Sequence, residues 1–235
     1  MSEMISRRSF LKVAGVSVVG AAAFGLTGCG GGGGGGSTPT GIVYGKTTST
    51  NINDWPKCDG VYFPCCSTVK MDETDDETET LTAKGKKLET LGVAFYVMNS
   101  ANSGKTVTFE HALSQIMNDD DDDQEEELQG SEQFVNIKVD GTAAEEFCSV
   151  GALMNSTANP GAMSVKDVVP GQSGIMILML KAPAGWNNVE FDYHPNFEPT
   201  QTYHFKVTNN EFKSVDENTM IQTITGDIVS IMPKQ

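Results

Sequence analysis

Apolar and polar residues alternate at period two through segment after segment of this chain. That alternation restricts it to folds built from half-buried strands, because successive side chains of a strand point to opposite faces. Val93, Phe95 and Val97 share one face, and Val135, Ile137 and Val139 share another. Val189, Phe191 and Tyr193, then Tyr203, Phe205 and Val207, repeat the pattern toward the C-terminus. Asn209-Asn210 separates the last of these from residues 212–215 and reads as a tight hairpin, since Asn tolerates positive φ. Two more strands are expected at residues 220–224 and 228–232, with Gly226-Asp227 as the turn between them. The apolar run from Ile175 to Leu180 is bounded by Pro170-Gly171 and by Pro183-Ala184-Gly185. Its length suits a central strand buried on both faces. Residues 42–44 and 61–63 read as short strands, and Pro64 limits the second to an edge.

Two stretches carry helical signals. Thr142-Ala143-Ala144-Glu145 is a capping-box pattern with Phe147 and Val150 following, which predicts a short helix from Ala143 to about Val150. Phe109, Ala112, Leu113, Ile116 and Met117 fall at helical spacing although residues 106–109 begin as a strand, so that stretch is open. Acidic runs at residues 72–79 and 119–127 repel themselves and are expected as solvated loops.

The N-terminus is an address rather than a fold element. Ser6-Arg7-Arg8-Ser9-Phe10-Leu11-Lys12 matches the twin-arginine export pattern, and the apolar stretch after it, ending at Leu26, is too short to span a bilayer. Leu26-Thr27-Gly28-Cys29 resembles the bacterial lipobox, which implies that Cys29 takes a diacylglycerol and becomes the first residue of the mature chain. Two acyl chains make a stable anchor where one, at about 0.8 kcal/mol per buried CH₂, makes a marginal one. Residues 30–40 are seven glycines followed by Ser-Thr-Pro-Thr, a flexible tether with a reach of roughly 18 Å. The expected location is therefore the extracytoplasmic face of the cell membrane.

Charge narrows the partners. Beyond the signal every basic residue is lysine, 13 of them against 30 Asp and Glu. Without arginine the chain lacks the bidentate fork for phosphate and base edges, and its negative field repels nucleic acid. Nucleic acid is excluded as a partner; the membrane, through the anchor, and another envelope protein are the partners expected.

Four cysteines remain after lipidation: Cys58, Cys65, Cys66 and Cys148. An even number in an exported protein suggests disulfides. A bond between neighbours Cys65 and Cys66 is strained, so each is expected to pair elsewhere, with Cys58 and Cys148 as partners. A twin-arginine substrate folds before export in a reducing compartment, so such bonds would be late staples on a core formed without them.

Catalytic and metal motifs fail at defining positions. A calcium-loop register beginning at Asp119 puts Gln124 where glycine is needed and Gly130 where glutamate is needed. Gly171-Gln172-Ser173-Gly174 lacks the spacing of a nucleophile elbow and precedes a strand instead of following one. His194 and His204 approach each other if their strands pair, but the last cysteine, Cys148, lies far before both, which does not suit a blue-copper site. Aromatic residues in the strands read as core, Trp186 as a cover on the end of the sandwich, and Trp55 as a loop residue that could bind.

The block from Leu88 to Val207 resembles the immunoglobulin-like, telokin-type domain of many bacterial surface lipoproteins. The similarity lies in Val93-Ala94-Phe95-Tyr96-Val97-Met98-Asn99-Ser100, in Val169-Pro170-Gly171-Gln172-Ser173-Gly174 leading into an apolar strand, and in Pro183-Ala184-Gly185-Trp186 leading to Val189-Glu190-Phe191-Asp192-Tyr193. The resemblance supplies no catalytic residues. The expected organisation is a signal peptide over 1–28, lipidated Cys29 and tether over 29–40, an extension with the cysteine cluster and acidic linker over 41–80, and an all-β, immunoglobulin-like antiparallel sandwich over 81–235. The expected function is a non-catalytic, cofactor-free binding or accessory module at the cell envelope. The competing reading is a copper, zinc or calcium protein or a redox protein, which should bring His194 and His204 within ligand distance of a third donor.

Overall fold

The computed structural model describes residues 41–71, 88–114, 130–154, 164–216 and 219–233. Arg7, Arg8, Cys29, the glycine tether and both acidic runs lie outside the described residues.

Two sheets face each other. The smaller has the order β1 (Val43–Tyr44), β14 (Tyr203–Thr208), β13 (Asn188–Tyr193), β8 (Phe134–Val139) and β9 (Thr142–Ala143). The larger has the order β15 (Lys213–Val215), β4 (Cys65–Met71), β5 (Leu88–Asn99), β12 (Ser173–Pro183), β10 (Phe147–Leu153) and β7 (His111–Ala112). A hairpin of β2 (Lys57–Cys58) and β3 (Val61–Tyr62) extends it beside the end of β5. A separate ladder joins β6 (Val107–Thr108) to β11 (Asp167–Val168). The long inner pairings are antiparallel, whereas β1 on β14, β7 on β10 and β15 on β4 are parallel edge additions. The described residues thus form an all-β sandwich, and the α-helix whose two ends both lie among them is α1 (Met220–Ile231).

Side-chain alternation builds two cores. Leu91, Val93, Phe95 and Val97 of β5 point between the sheets, where Phe95, Phe134, Phe191, Tyr193 and Phe205 meet. Phe95 and Phe205 pack edge to face at 5.1 Å, the geometry their ring quadrupoles favour. Ala94, Tyr96 and Met98 point to the opposite face of the larger sheet, which α1 covers with Met220, Ile224, Ile228 and Ile231. With both faces covered, β5 and β12 read as near-continuous apolar runs, and Ile175 to Leu180 is the central buried strand its sequence predicts.

Several expectations are corrected. Residues 143–150 are not a helix: Asp140 and Gly141, at φ 49° and 80°, form the two-residue hairpin turn from β8 to β9, and β10 follows. A turn that needs two positive φ values and has Asp-Gly to supply them overrides a capping box. The two C-terminal strands are instead α1, whose buried residues recur at helical spacing. Asn209 does not turn a hairpin; residues Asn209–Glu211 make a 3-10 turn, fixed by Thr208 Oγ1 donating to Glu211 Oε2 at 2.8 Å, and β15 crosses to the other sheet. In β8 the inward residues are Phe134, Ile137 and Val139, because Asn136 at φ 53° and a register shift opposite Glu190 and Asp192 turn Val135 away. β3 is flanked by β2 and β5 and so is no edge; it stops before Pro64, whose carbonyl accepts the Tyr96 N–H at 3.1 Å. The stretch left open contains β6 and β7. Of the extension expected over 41–80, the described residues 41–71 supply β1 to one sheet and β3 and β4 to the other.

Candidate functional site

The histidines lie where strand pairing puts them. Asp192 and His204 stand directly opposite each other on β13 and β14, and His204 Nδ1 is 2.8 Å from Asp192 Oδ1. The bulged Asn136 of β8 donates its amide to Asp192 Oδ2 at 2.7 Å. Burial alone would raise the Asp192 carboxyl, but the hydrogen bonds from Asn136 and His204, with the charge of His204, outweigh it and hold the carboxyl below its usual value. The imidazole is 40% exposed and turns its other nitrogen away from the pair, an arrangement that fixes a ring and moves a proton only if a substrate group comes within reach. His194 follows β13 and its Nε2 is 3.2 Å from Thr202 Oγ1. His111 sits on β7, at the edge of the other sheet. Among the described residues no group of three or more His, Cys, Asp or Glu side chains is placed to hold a metal ion.

The cysteines do not pair. All four are buried free thiols, and the register shows why. Cys66 is on β4 and Cys148 on β10, with β5 and β12 between them, a separation of about three strand spacings or ~14 Å. Cys58 is opposite Val61, which pairs with Asn99, while Cys65 pairs with Phe95, so these two lie about four residues or ~13 Å apart along β5. Cys58 and Cys148 flank the larger sheet on opposite sides of β5. A disulfide requires Cα atoms within about 7 Å, so the expected pairings of Cys58 and Cys148 with Cys65 and Cys66 are ruled out in this fold. Cys65 and Cys66 themselves diverge, the first into the core between the sheets and the second into the core beneath α1. Burial pushes the Cys66 and Cys148 thiols up to about 12 and Cys65 well above its ordinary value, which leaves them poor nucleophiles and poor metal ligands at neutral pH.

Both tryptophans are structural. Trp186 covers one end of the sandwich as expected, donating Nε1 to Glu89 Oε2 at 2.9 Å and packing edge-on against Phe212. Trp55 is not a binding loop residue: it is 2% exposed, donates Nε1 to the Ser49 carbonyl at 2.8 Å and meets Tyr62 and Tyr96 edge-on.

Sequence reasoning passed over the opposite end. There the turn between β2 and β3 uses Asp59 and Gly60 at φ 46° and 80°, and Lys105 Nζ lies 3.1 Å from Asp59 Oδ2 and 3.8 Å from Glu198 Oε2. Asn99 donates its amide to the carbonyls of Lys105 and Val168 at 2.9 and 2.8 Å, which clamps two loops to the end of β5. The Asp59-Gly60 pair was the available signal, the same hairpin dipeptide as Asp140-Gly141. A second polar cluster fastens α1 to the sheet: Asp227 accepts from Ser67 at 2.8 Å and pairs with Lys213 and with Lys46 at 3.7 Å.

Comparison of the chain with protein-family models, with curated proteins and with solved structures finds no match in any of the three.

Proposed function

We propose that this chain is a twin-arginine-exported lipoprotein, held by Cys29 on the extracytoplasmic face of the membrane, whose immunoglobulin-like sandwich is a non-catalytic binding or accessory module for another envelope protein. The observation that carries the reading is the ordered succession in the sequence of Arg7-Arg8, a short apolar stretch, Leu26-Thr27-Gly28-Cys29 and a glycine run, ahead of a described fold whose first strand is β1. Burial of every cysteine of the domain as a free thiol suits a protein folded in a reducing compartment before export. The domain's polar clusters hold the fold: Asp140 caps the Asn187 and Asn188 amides, Asp227 fastens α1, and Asp192 pairs with His204.

The metal reading needs a third donor beside His194 and His204, and among the described residues no three His, Cys, Asp or Glu side chains are grouped to hold an ion. The experiment is fractionation of a bacterial host expressing the wild type, the Arg7→Lys/Arg8→Lys double variant and Cys29→Ser. The wild type is expected in the membrane fraction, the arginine variant retained in the cytoplasm and Cys29→Ser released from the membrane. Soluble wild type, or Cys29→Ser that stays on the membrane, would overturn the anchor.

A further inference from the structure

The two ends of the sandwich differ. At one end meet the β2–β3 turn, the loop after β5, the β6–β11 ladder and the connection at residues 194–202. Tyr203 donates its hydroxyl to the Lys57 carbonyl at 2.9 Å, and the Thr108 N–H donates to Asn196 Oδ1 at 3.3 Å, so these parts form one surface. β1 runs parallel to β14 with Val43 opposite His204. The chain therefore enters the domain beside Tyr203, at this same end.

Five large apolar side chains are well exposed among the described residues: Ile42, Val43, Val165, Val169 and Val229. The first four belong to this end. Ile42 and Val43, 42% and 55% exposed, stand where the tether joins the domain; Val165 and Val169 flank β11, whose Val168 carbonyl is held by Asn99 at the end of β5. Singly such residues are ordinary, but four of five gathered where the anchor attaches is a distribution with a use. The loops of this end and the adjoining Lys57 carry Lys57, Lys105 and Lys166 against Asp59, Glu110, Glu132, Asp167 and Glu198, so the case for this end rests on its apolar side chains and on where the chain enters.

We propose that this end is the surface the anchored domain rests on the lipid headgroups, with Ile42, Val43, Val165 and Val169 as the contact; the proposal rests on the lipid-anchor reading above. Distance favours this end: by coil scaling the eleven residues between Cys29 and Gly41 have an r.m.s. span of roughly 18 Å, whereas the twelve residues of β5 put the far end about 40 Å from the first, a span that would require a tether of that length to be almost fully extended. Anchoring also makes the contact intramolecular, so a few partly exposed apolar side chains suffice where they would not recruit a free protein.

The test is lipid-borne quenching of single fluorophores on the lipidated full chain, reconstituted in phosphatidylethanolamine–phosphatidylglycerol vesicles with a headgroup-nitroxide lipid. Labels go on Val43→Cys and Val169→Cys at the proposed face, and on exposed Ala143→Cys and Ala184→Cys near the other end, the native thiols being buried. Stronger loss of fluorescence at both proposed positions than at either control is expected, with Val43→Glu lowering the loss at the Val169→Cys label. Equal quenching at all four sites on lipidated protein overturns the orientation and leaves the anchor standing. An emission shift at the proposed face that requires an added envelope protein and shows no lipid quenching also overturns it, assigning the face to a protein partner. An intact mass without diacylglycerol on Cys29 overturns the anchor reading, and the orientation with it.

Discussion

The Phe109 ring fills the space that a side chain at residue 151 would need. A Cβ built on Gly151 of β10 comes closer than 3.0 Å to three carbons of that ring, which is fully enclosed between the sheets. The ring is buried, so it can yield only by displacing its own neighbours. Gly151→Ala should therefore destabilise the domain by about 1–3 kcal/mol or more, the usual range for overpacking a core. Urea unfolding measures it, and an unchanged midpoint would contradict the packing described.

Gly226 makes the opposite case. It lies within α1 and a Cβ there meets nothing within 4 Å, so Gly226→Ala adds helix propensity without crowding. A gain of about 0.5–1 kcal/mol is expected. Ile228→Ala, two residues on and buried under the larger sheet, should cost about 2–5 kcal/mol. Were these residues two strands about a Gly226-Asp227 turn, Gly226→Ala would destabilise.

Asp192 and Glu190 give the sandwich an acid limb. Asp192 is held low by Asn136 and His204 against the opposing effect of burial, and Glu190 by the Lys206 hydrogen bond at 2.6 Å. A carboxyl whose folded value is below its unfolded one contributes stability above the unfolded value and loses it as pH falls through the folded one. With ordinary values of 3.8 and 4.5, the loss begins below about pH 5. Asp192→Asn should show a smaller fall in Tm between about pH 5 and pH 3 than the wild type. A wild-type Tm that is flat to about pH 3 would contradict the pairing.

The thiols predict redox indifference. Since Cys58, Cys65, Cys66 and Cys148 are buried and unpaired, reductant should leave Tm unchanged, and a thiol reagent should react with none of them in the native protein and with all four after unfolding. A lower Tm in reductant would reveal a disulfide and sink this assignment.

The strands that line the core between the sheets were legible because their alternation is undisturbed: Val189, Phe191 and Tyr193, and Tyr203, Phe205 and Val207, are all buried as their spacing implies. The errors came where one signal competed with another. Thr142 to Glu145 satisfies a capping box, yet Asp140-Gly141 two residues earlier supplies the stronger turn. Met220, Ile224, Ile228 and Ile231 recur at helical period, yet Ile221 and Ile224 around Thr223, with Gly226-Asp227 after them, mimic a strand and turn. The cysteines were misjudged because parity carries no register: only the strand order shows two strands standing between Cys66 and Cys148. The pairing of β13 and β14 was legible, but that it sets His204 against Asp192 was not read from it, and the bulge that brings in Asn136 has no mark in the sequence beyond an Asn able to take positive φ.

The central claim is the anchored, disulfide-free module, and intact mass spectrometry of the membrane-extracted protein after denaturing alkylation tests it most directly. The account predicts a mature chain that begins at Cys29, carries diacylglycerol on that residue and takes up an alkyl group at each of Cys58, Cys65, Cys66 and Cys148. A chain that retains the residues before Cys29 without lipid, or one that resists alkylation until reduced, would contradict it.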